Sequence, residues 1–282
     1  MRINDEEYLL QALPVNSKEF HNSVWQLKLY KEHITPNRLK GKALQNLPKE
    51  YTAGTGTGFL FKKASRVYLV SNTHVYEDGN PHTIMVFHSD PEESYPFIMI
   101  PLNKSMIVKH DTVDLALIDI TDVIANHPAL NVRFLTQSDM LEGSSVWYTL
   151  GVGRHVSVVG FQAGGENAVH VPAQIQSIPE NPWYGEPKIE LNVALFPGSS
   201  GSPTFVYVKD SFGNITPKLL GVADESAINK DNGQIYAGHV IKSTALQTLI
   251  EKAEKGPVPE SNRSVQYIDV PQKPFFKKSM IV

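Results

Sequence analysis

The sequence predicts an all-β protein, and two observations carry that prediction. Short apolar runs recur along the 282 residues, and loops rich in Gly, Asn, Asp and Pro separate them. That is the spacing of strands and turns rather than of βαβ units. The clearest helical period lies near the end of the chain. A hydrophobic content of 41% and this length are enough for two modest cores.

In chain order, residues 5–13 read as a short helix and Asn16-Ser17-Lys18-Glu19-Phe20 as a second capped start. Both lie in an extension, residues 1–50, whose run Trp25-Gln26-Leu27-Lys28-Leu29 is a candidate first strand. Residues 56–61 and 67–70 then read as two strands joined by the polar turn Lys62-Lys63-Ala64-Ser65. Further strand-like runs lie at 83–87, 97–100, 113–120, 146–150, 156–161 and 188–191. The stretch 121–143, containing Asn126-His127-Pro128, has the character of a bridge between two units. From Ser243, a residue suited to cap a helix, Leu246, Leu249, Ile250 and Ala253 fall on one apolar helical face. Residues 256–282 carry Pro257, Pro259, Pro271 and Pro274 with little period, and read as a Pro-rich extended tail.

Charge and composition exclude several function classes. The net charge of −3 argues against a nucleic-acid surface, and no Cys/His spacing resembles a zinc site. The reading is therefore no metal and no cofactor. No run is long enough to span a bilayer, no apolar leader follows Met1, and there is no cysteine. A cytoplasmic location in a bacterium or phage, with no membrane partner, is the simplest expectation.

The chemistry-bearing stretch is Gly198-Ser199-Ser200-Gly201-Ser202-Pro203, entered from the apolar run 191–196. A serine oxygen attacks a carbonyl only if it stands clear of its backbone with amide hydrogens nearby for the oxyanion. Flanking glycines permit that geometry, with Ser200 at the apex as candidate nucleophile. Gly/Ser/Pro clusters are also ordinary loops, so the hexamer gains meaning only from a base and an orienter elsewhere. His74 falls just beyond the end of the strand 67–70, where a side chain is fixed yet open to substrate. Asp114 enters the apolar run 113–120, where a carboxylate needs a partner that a histidine N–H could provide.

These segments, in the order His, Asp, Ser, resemble the chymotrypsin-like (trypsin-fold) serine peptidases, especially bacterial members akin to the Htr and glutamyl endopeptidase groups. Residues 54–59, 71–75, 113–117 and 198–203 carry the resemblance, with Leu219-Leu220-Gly221-Val222 and the late run 238–243. It implies two six-stranded antiparallel β-barrels with a C-terminal helix and a cleft between them. The first barrel, 51–128, would carry His74 and Asp114, and the second, 129–255, would carry Ser200. On this resemblance Ser200 attacks, His74 is the base, Asp114 orients it, and the N–H groups of Gly198 and Ser200 form the oxyanion hole. The substrate would be a protein or peptide. The 1–50 extension belongs to none of these motifs and reads as cover for a barrel edge, with a regulatory arm over the cleft as the alternative.

Departures from the family pattern refine the expectation. Ser199 stands where many relatives have the aspartate that pairs with a newly cut N-terminus, so the site is either preformed or switched by a partner or a loop. Ala194 falls at the floor of the specificity pocket, where a trypsin-like aspartate is missing. Asp224, Ser226, Gly238 and His239 would supply the walls. Ser202 is shared with glutamyl endopeptidases, but Ala223 stands where they carry a pocket histidine. The competing reading is a trypsin-fold binding or scaffold protein, catalytically silent or partner-gated.

Overall fold

The computed structural model describes residues 23–30, 52–78, 83–88, 98–126, 132–141, 150–162, 168–178, 188–209, 213–228 and 235–256. The helical readings before residue 23, nearly all of the strand 146–150, the His127-Pro128 part of the bridge and the tail after Gly256 lie outside the described residues.

Strands β1 (Val24–Tyr30), β2 (Thr52–Lys63), β3 (Arg66–Ser71), β4 (Thr83–His88), β5 (Ile98–Pro101), β6 (Ile107–Lys109) and β7 (Ala116–Asp119) form one antiparallel sheet. Its order is β5-β4-β1-β2-β3-β7-β6. The one-turn helix α1 (Thr73–Glu77) follows β3, and α2 (Thr121–Ala125) follows β7. Strands β8 (His155–Gly160), β9 (Val169–Ser177), β10 (Lys188–Leu191), β11 (Pro203–Lys209), β12 (Ile215–Ile228) and β13 (Ile235–Lys242) close into a barrel in the order β10-β13-β12-β11-β8-β9. Helix α3 (Ser243–Lys255) ends the described chain.

The six-stranded closed barrel expected of the second half is present. The first half differs: it is a seven-stranded sheet, not a closed six-stranded barrel. Its edge strands β5 and β6 are joined by a 3₁₀ turn over Lys104–Met106, where the Asn103 side chain accepts from the Ser105 N–H. The chain thus crosses between the edges through a capped turn, and β6, only three residues long, spends its pairing on β7. No ladder joins β5 to β6 among the described residues.

The core explains why the strands read as continuous apolar runs rather than as alternating ones. Side chains alternate across a strand, and here both faces meet apolar neighbours. Leu60, Leu69, Ala116 and Ile118 enter a cluster within the first sheet, whereas their neighbours Phe59, Phe61, Tyr68, Val70 and Leu117 enter a second one. That second cluster also takes Val159, Phe161, Phe205, Leu219, Val222 and Ile241 from the barrel. A third, inside the barrel, takes Val206, Leu220, Ala223 and Val240. The two halves are therefore joined by a shared apolar core.

Helix α3 packs into that shared core through Ala245, Leu246, Leu249, Ile250 and Ala253, which is the face its period predicts. Its cap differs from expectation. Lys242 holds the N-cap position with no side-chain cap bond, and Ser243 is the first helical residue, fully buried. No helix among the described residues is long and apolar enough to cross a membrane.

Candidate active site

His74 is placed by α1, and Asp114 by the bend that leads into β7. The first N–H groups of a helix lack intrahelical acceptors, and Asp114 Oδ1 accepts the His74 N–H at 3.0 Å. Its other oxygen, Oδ2, bonds the imidazole Nδ1. Asn72, at the N-cap of α1, makes no cap bond; its Nδ2 instead donates to the Asp114 carbonyl at 2.7 Å. One carboxylate therefore fixes both the backbone and the ring of His74, and leaves Nε2 free of that bond.

The same contacts set the charges. The bond to Asp114 raises the His74 pKa above 6.5, against burial, which lowers it; Asp78 and Asp224 add to the rise. Burial raises Asp114, but the bonds from the His74 ring and from the His74 and Thr73 backbone hold it below its ordinary value. At neutral pH the pair favours an ionised carboxylate facing an easily protonated imidazole.

The serine loop is fixed by backbone and glycine geometry. Phe196-Pro197-Gly198-Ser199 makes a tight turn, with Gly198 at φ 94 and the Ser199 N–H donating to the Phe196 carbonyl at 2.9 Å. Pro followed by Gly at positive φ is the type II pattern. Thr57 of β2 clamps the turn from the first sheet. Its Oγ1 donates to the Gly198 carbonyl at 2.8 Å, and its N–H donates to the Ser200 carbonyl at 2.9 Å. Gly201, at φ 87, brings the backbone so close that a Cβ would lie 2.0 Å from the Thr57 carbonyl oxygen. Its N–H donates to Ala223 of β12 at 2.9 Å. The N–H groups of Gly198 and Ser200 make no backbone hydrogen bond among the described residues.

Ser200 Oγ donates to the Asp224 carbonyl at 3.1 Å, and no hydrogen bond joins it to His74. Asp224 links the two halves. Its carboxylate, an imidazole nitrogen of His74 and the Asp114 carboxylate all lie within 4.8 Å of one another. Lys188 Nζ meets Asp224 Oδ2 at 2.6 Å and Glu225 Oε1 at 3.0 Å. His74, Asp114 and Asp224 could together reach one cation, but the imidazole already serves Asp114, and the Lys188 ammonium serves Asp224.

The residues expected at the pocket are distributed as follows. Ser226 Oγ donates to the Leu195 carbonyl at 2.8 Å and accepts the Leu195 N–H at 2.9 Å, tying β12 to the segment that holds Ala194. Gly238 backs on the same segment, where a Cβ would lie 2.7 Å from the Val193 carbonyl oxygen. His239 lies 3.7 Å from both Glu190 and Glu225. Asp224 is 3% exposed and is directed toward His74 and Lys188. Sequence reasoning missed Thr57, Asn72 and Lys188. Thr57 and Asn72 carried one available signal: polar residues inside or ending apolar strands, which must be satisfied when buried.

Comparison with known proteins follows the same lines. No curated protein matches the chain in sequence. Among solved structures, the mutant Rv3671c of M. tuberculosis H37Rv in its inactive form, a serine-to-alanine variant, has TM-score 0.51 at 20% identity, covering 88% of this chain and 95% of that one. The active form of the Rv3671c protease gives TM-score 0.51 at 21% identity, covering 88% of each chain. A serine endoprotease from Yersinia pestis gives TM-score 0.50 at 15% identity, covering 82% of this chain and 62% of that one. At such identities the likeness is one of fold. The family model for the trypsin-like peptidase domain matches residues 56–208, a span that includes Thr57, His74, Asp114 and Ser200, and the chain belongs to that family.

Proposed function

We propose that the protein is a serine endopeptidase that hydrolyses peptide bonds through Ser200, His74 and Asp114. The observation that carries this reading is the double grip of Asp114 on His74, which fixes the ring with Nδ1 engaged and Nε2 left as the base. Ser200 Oγ attacks the scissile carbonyl while Nε2 takes its proton and then passes it to the leaving amine. Water repeats the sequence on the acyl-enzyme. Asp114 stabilises the imidazolium as it forms. The N–H groups of Gly198 and Ser200 receive the oxyanion, each such donor being worth about 3 kcal/mol in the transition state.

A peptide substrate has an edge to bind. Strand β11 pairs with β12 only as far as Val222, so the edge of β12 beyond Ala223 is open on that side among the described residues. An extended peptide added there would pass beside Ser200. Ala194, Ser226, Gly238 and His239 are the residues we assign to its specificity pocket.

The direction of the Ser200 hydroxyl, toward the Asp224 carbonyl, favours a second reading in which the nucleophile is gated. Attack then requires rotation about the serine side chain toward His74, and catalytic hydrogen bonds often tighten only in the substrate complex. Incubation with a peptide library, read by mass spectrometry, separates the readings. Cleavage by wild type that disappears in Ser200→Ala supports the endopeptidase; cleavage that persists in Ser200→Ala removes Ser200 from the chemistry. A well-folded wild type that cleaves nothing favours the gated or scaffold protein.

A further inference from the structure

Asp224 places a second carboxylate against the imidazole that the mechanism above does not use. It lies where β12 leaves its pairing with β11 and bulges from β13. Ala223 opposes Val240 and Ser226 opposes Gly238, so Asp224 and Glu225 together face His239 alone. An inserted residue of this kind re-aims the side chain beside it. Here the result is a carboxylate only 3% exposed, within 4.8 Å of the imidazole and of Asp114.

A buried carboxylate is costly without a countercharge. Lys188 of β10 provides one at 2.6 Å, and its own charge is shared with the exposed Glu225. Glu225 in turn lies 3.7 Å from His239. The array runs from the surface inward to His74. We propose that Asp224, compensated by Lys188, is a positioning residue for His74: a second carboxylate whose charge, graded by the lysine, sets how readily the imidazole takes up and holds its proton. The proposal rests on the reading of His74 as general base.

Every charged group facing the ring bears on it. Asp114 comes from the bend before β7, Asp78 from the end of α1, and Asp224 from β12. Glu77, also on α1, is taken up by Lys109 of β6 at 2.5 Å. Asp224 is the one of these whose countercharge comes from the barrel, so the setting of the base depends on how the barrel meets the first sheet. Burial holds the proton affinity of Asp224 above its ordinary value, and Lys188 limits that rise.

The test is an NMR titration of the His74 ring in the full chain, its signal assigned by its loss in His74→Gln, together with the pH profile of kcat/KM. Asp224→Asn is expected to lower the His74 midpoint by about one pH unit, the scale of a nearby charge partly neutralised by its partner. The acid limb of kcat/KM should follow. Lys188→Gln, which leaves the buried Asp224 without its countercharge, is expected to favour the neutral carboxyl and so to lower the midpoint as Asp224→Asn does, so either variant alone gives a signed answer. A midpoint unmoved in both, whatever happens to turnover, overturns the proposal, because a purely structural role would reduce rates without shifting the titration. A shifted midpoint in a chain that hydrolyses nothing sustains the coupling and removes the peptidase reading. An unmoved midpoint in an active peptidase removes the coupling alone.

Discussion

The two halves of the candidate site are held by different forces. The serine loop is fixed by neutral backbone bonds and by close contact: Thr57 grips Gly198 and Ser200, and Gly201 sits where only a glycine fits. The histidine half is fixed by charge, through Asp114, with His74 and Asp114 side chains about one-third exposed at 35% and 32%. Each half is therefore vulnerable to a different kind of change. Shape changes should damage the serine loop, whereas charge and pH changes should damage the histidine half.

Asp114→Asn keeps shape and removes charge. On the proposed chemistry it should lower kcat on the order of 10⁴-fold, because the amide favours the wrong imidazole tautomer. A fall of less than tenfold would mean that charge does not hold this half. Thr57→Val makes the converse change, keeping bulk and removing the hydroxyl that bonds the Gly198 carbonyl and accepts the Phe161 N–H. Leaving those buried groups unpaired should cost about 1–3 kcal/mol of stability in urea unfolding. The pH midpoint of kcat/KM should stay in place, and a displaced midpoint would show that the halves are not separable in this way.

The smallest expected effect is the pH dependence of stability. His74 is raised above 6.5 in the fold, so its contribution is full below that unfolded value and is lost as pH rises through the folded one. Asp114 is lowered below 3.8, so its contribution is present above that value and is lost as pH falls through the folded one. Thermal unfolding should therefore show a plateau between these limits with a small decline on its alkaline side. That decline should be absent in His74→Ala.

The same contrast between local shape and distant charge decides what was legible in the sequence. The strands around residues 56–61 and 67–70, the apolar face of α3 and the strand-end position of His74 all rest on local patterns, and the structure has them. β9 was not legible: Pro172 stands within it, and its burial alternates only over part of its length. Ser243 carried a capping residue's identity but sits one place inside the helix, because β13 runs directly into α3. The open first sheet depends on how β5 and β6 diverge around a 3₁₀ turn, which no apolar period encodes. Asp224 was legible as a residue near the site, but not as a buried carboxylate facing His74. Its state depends on Lys188 across the barrel and on a bulge in β12, and neither leaves a local mark.

On the proposed chemistry Ser200 is a nucleophile activated by His74. The most direct test is reaction of the full chain with a fluorophosphonate probe, followed by peptide mapping of the adduct. One adduct is expected, on Ser200, formed by wild type and lost in both Ser200→Ala and His74→Ala. An adduct on another serine, or labelling of Ser200 that is undiminished in His74→Ala, would contradict it.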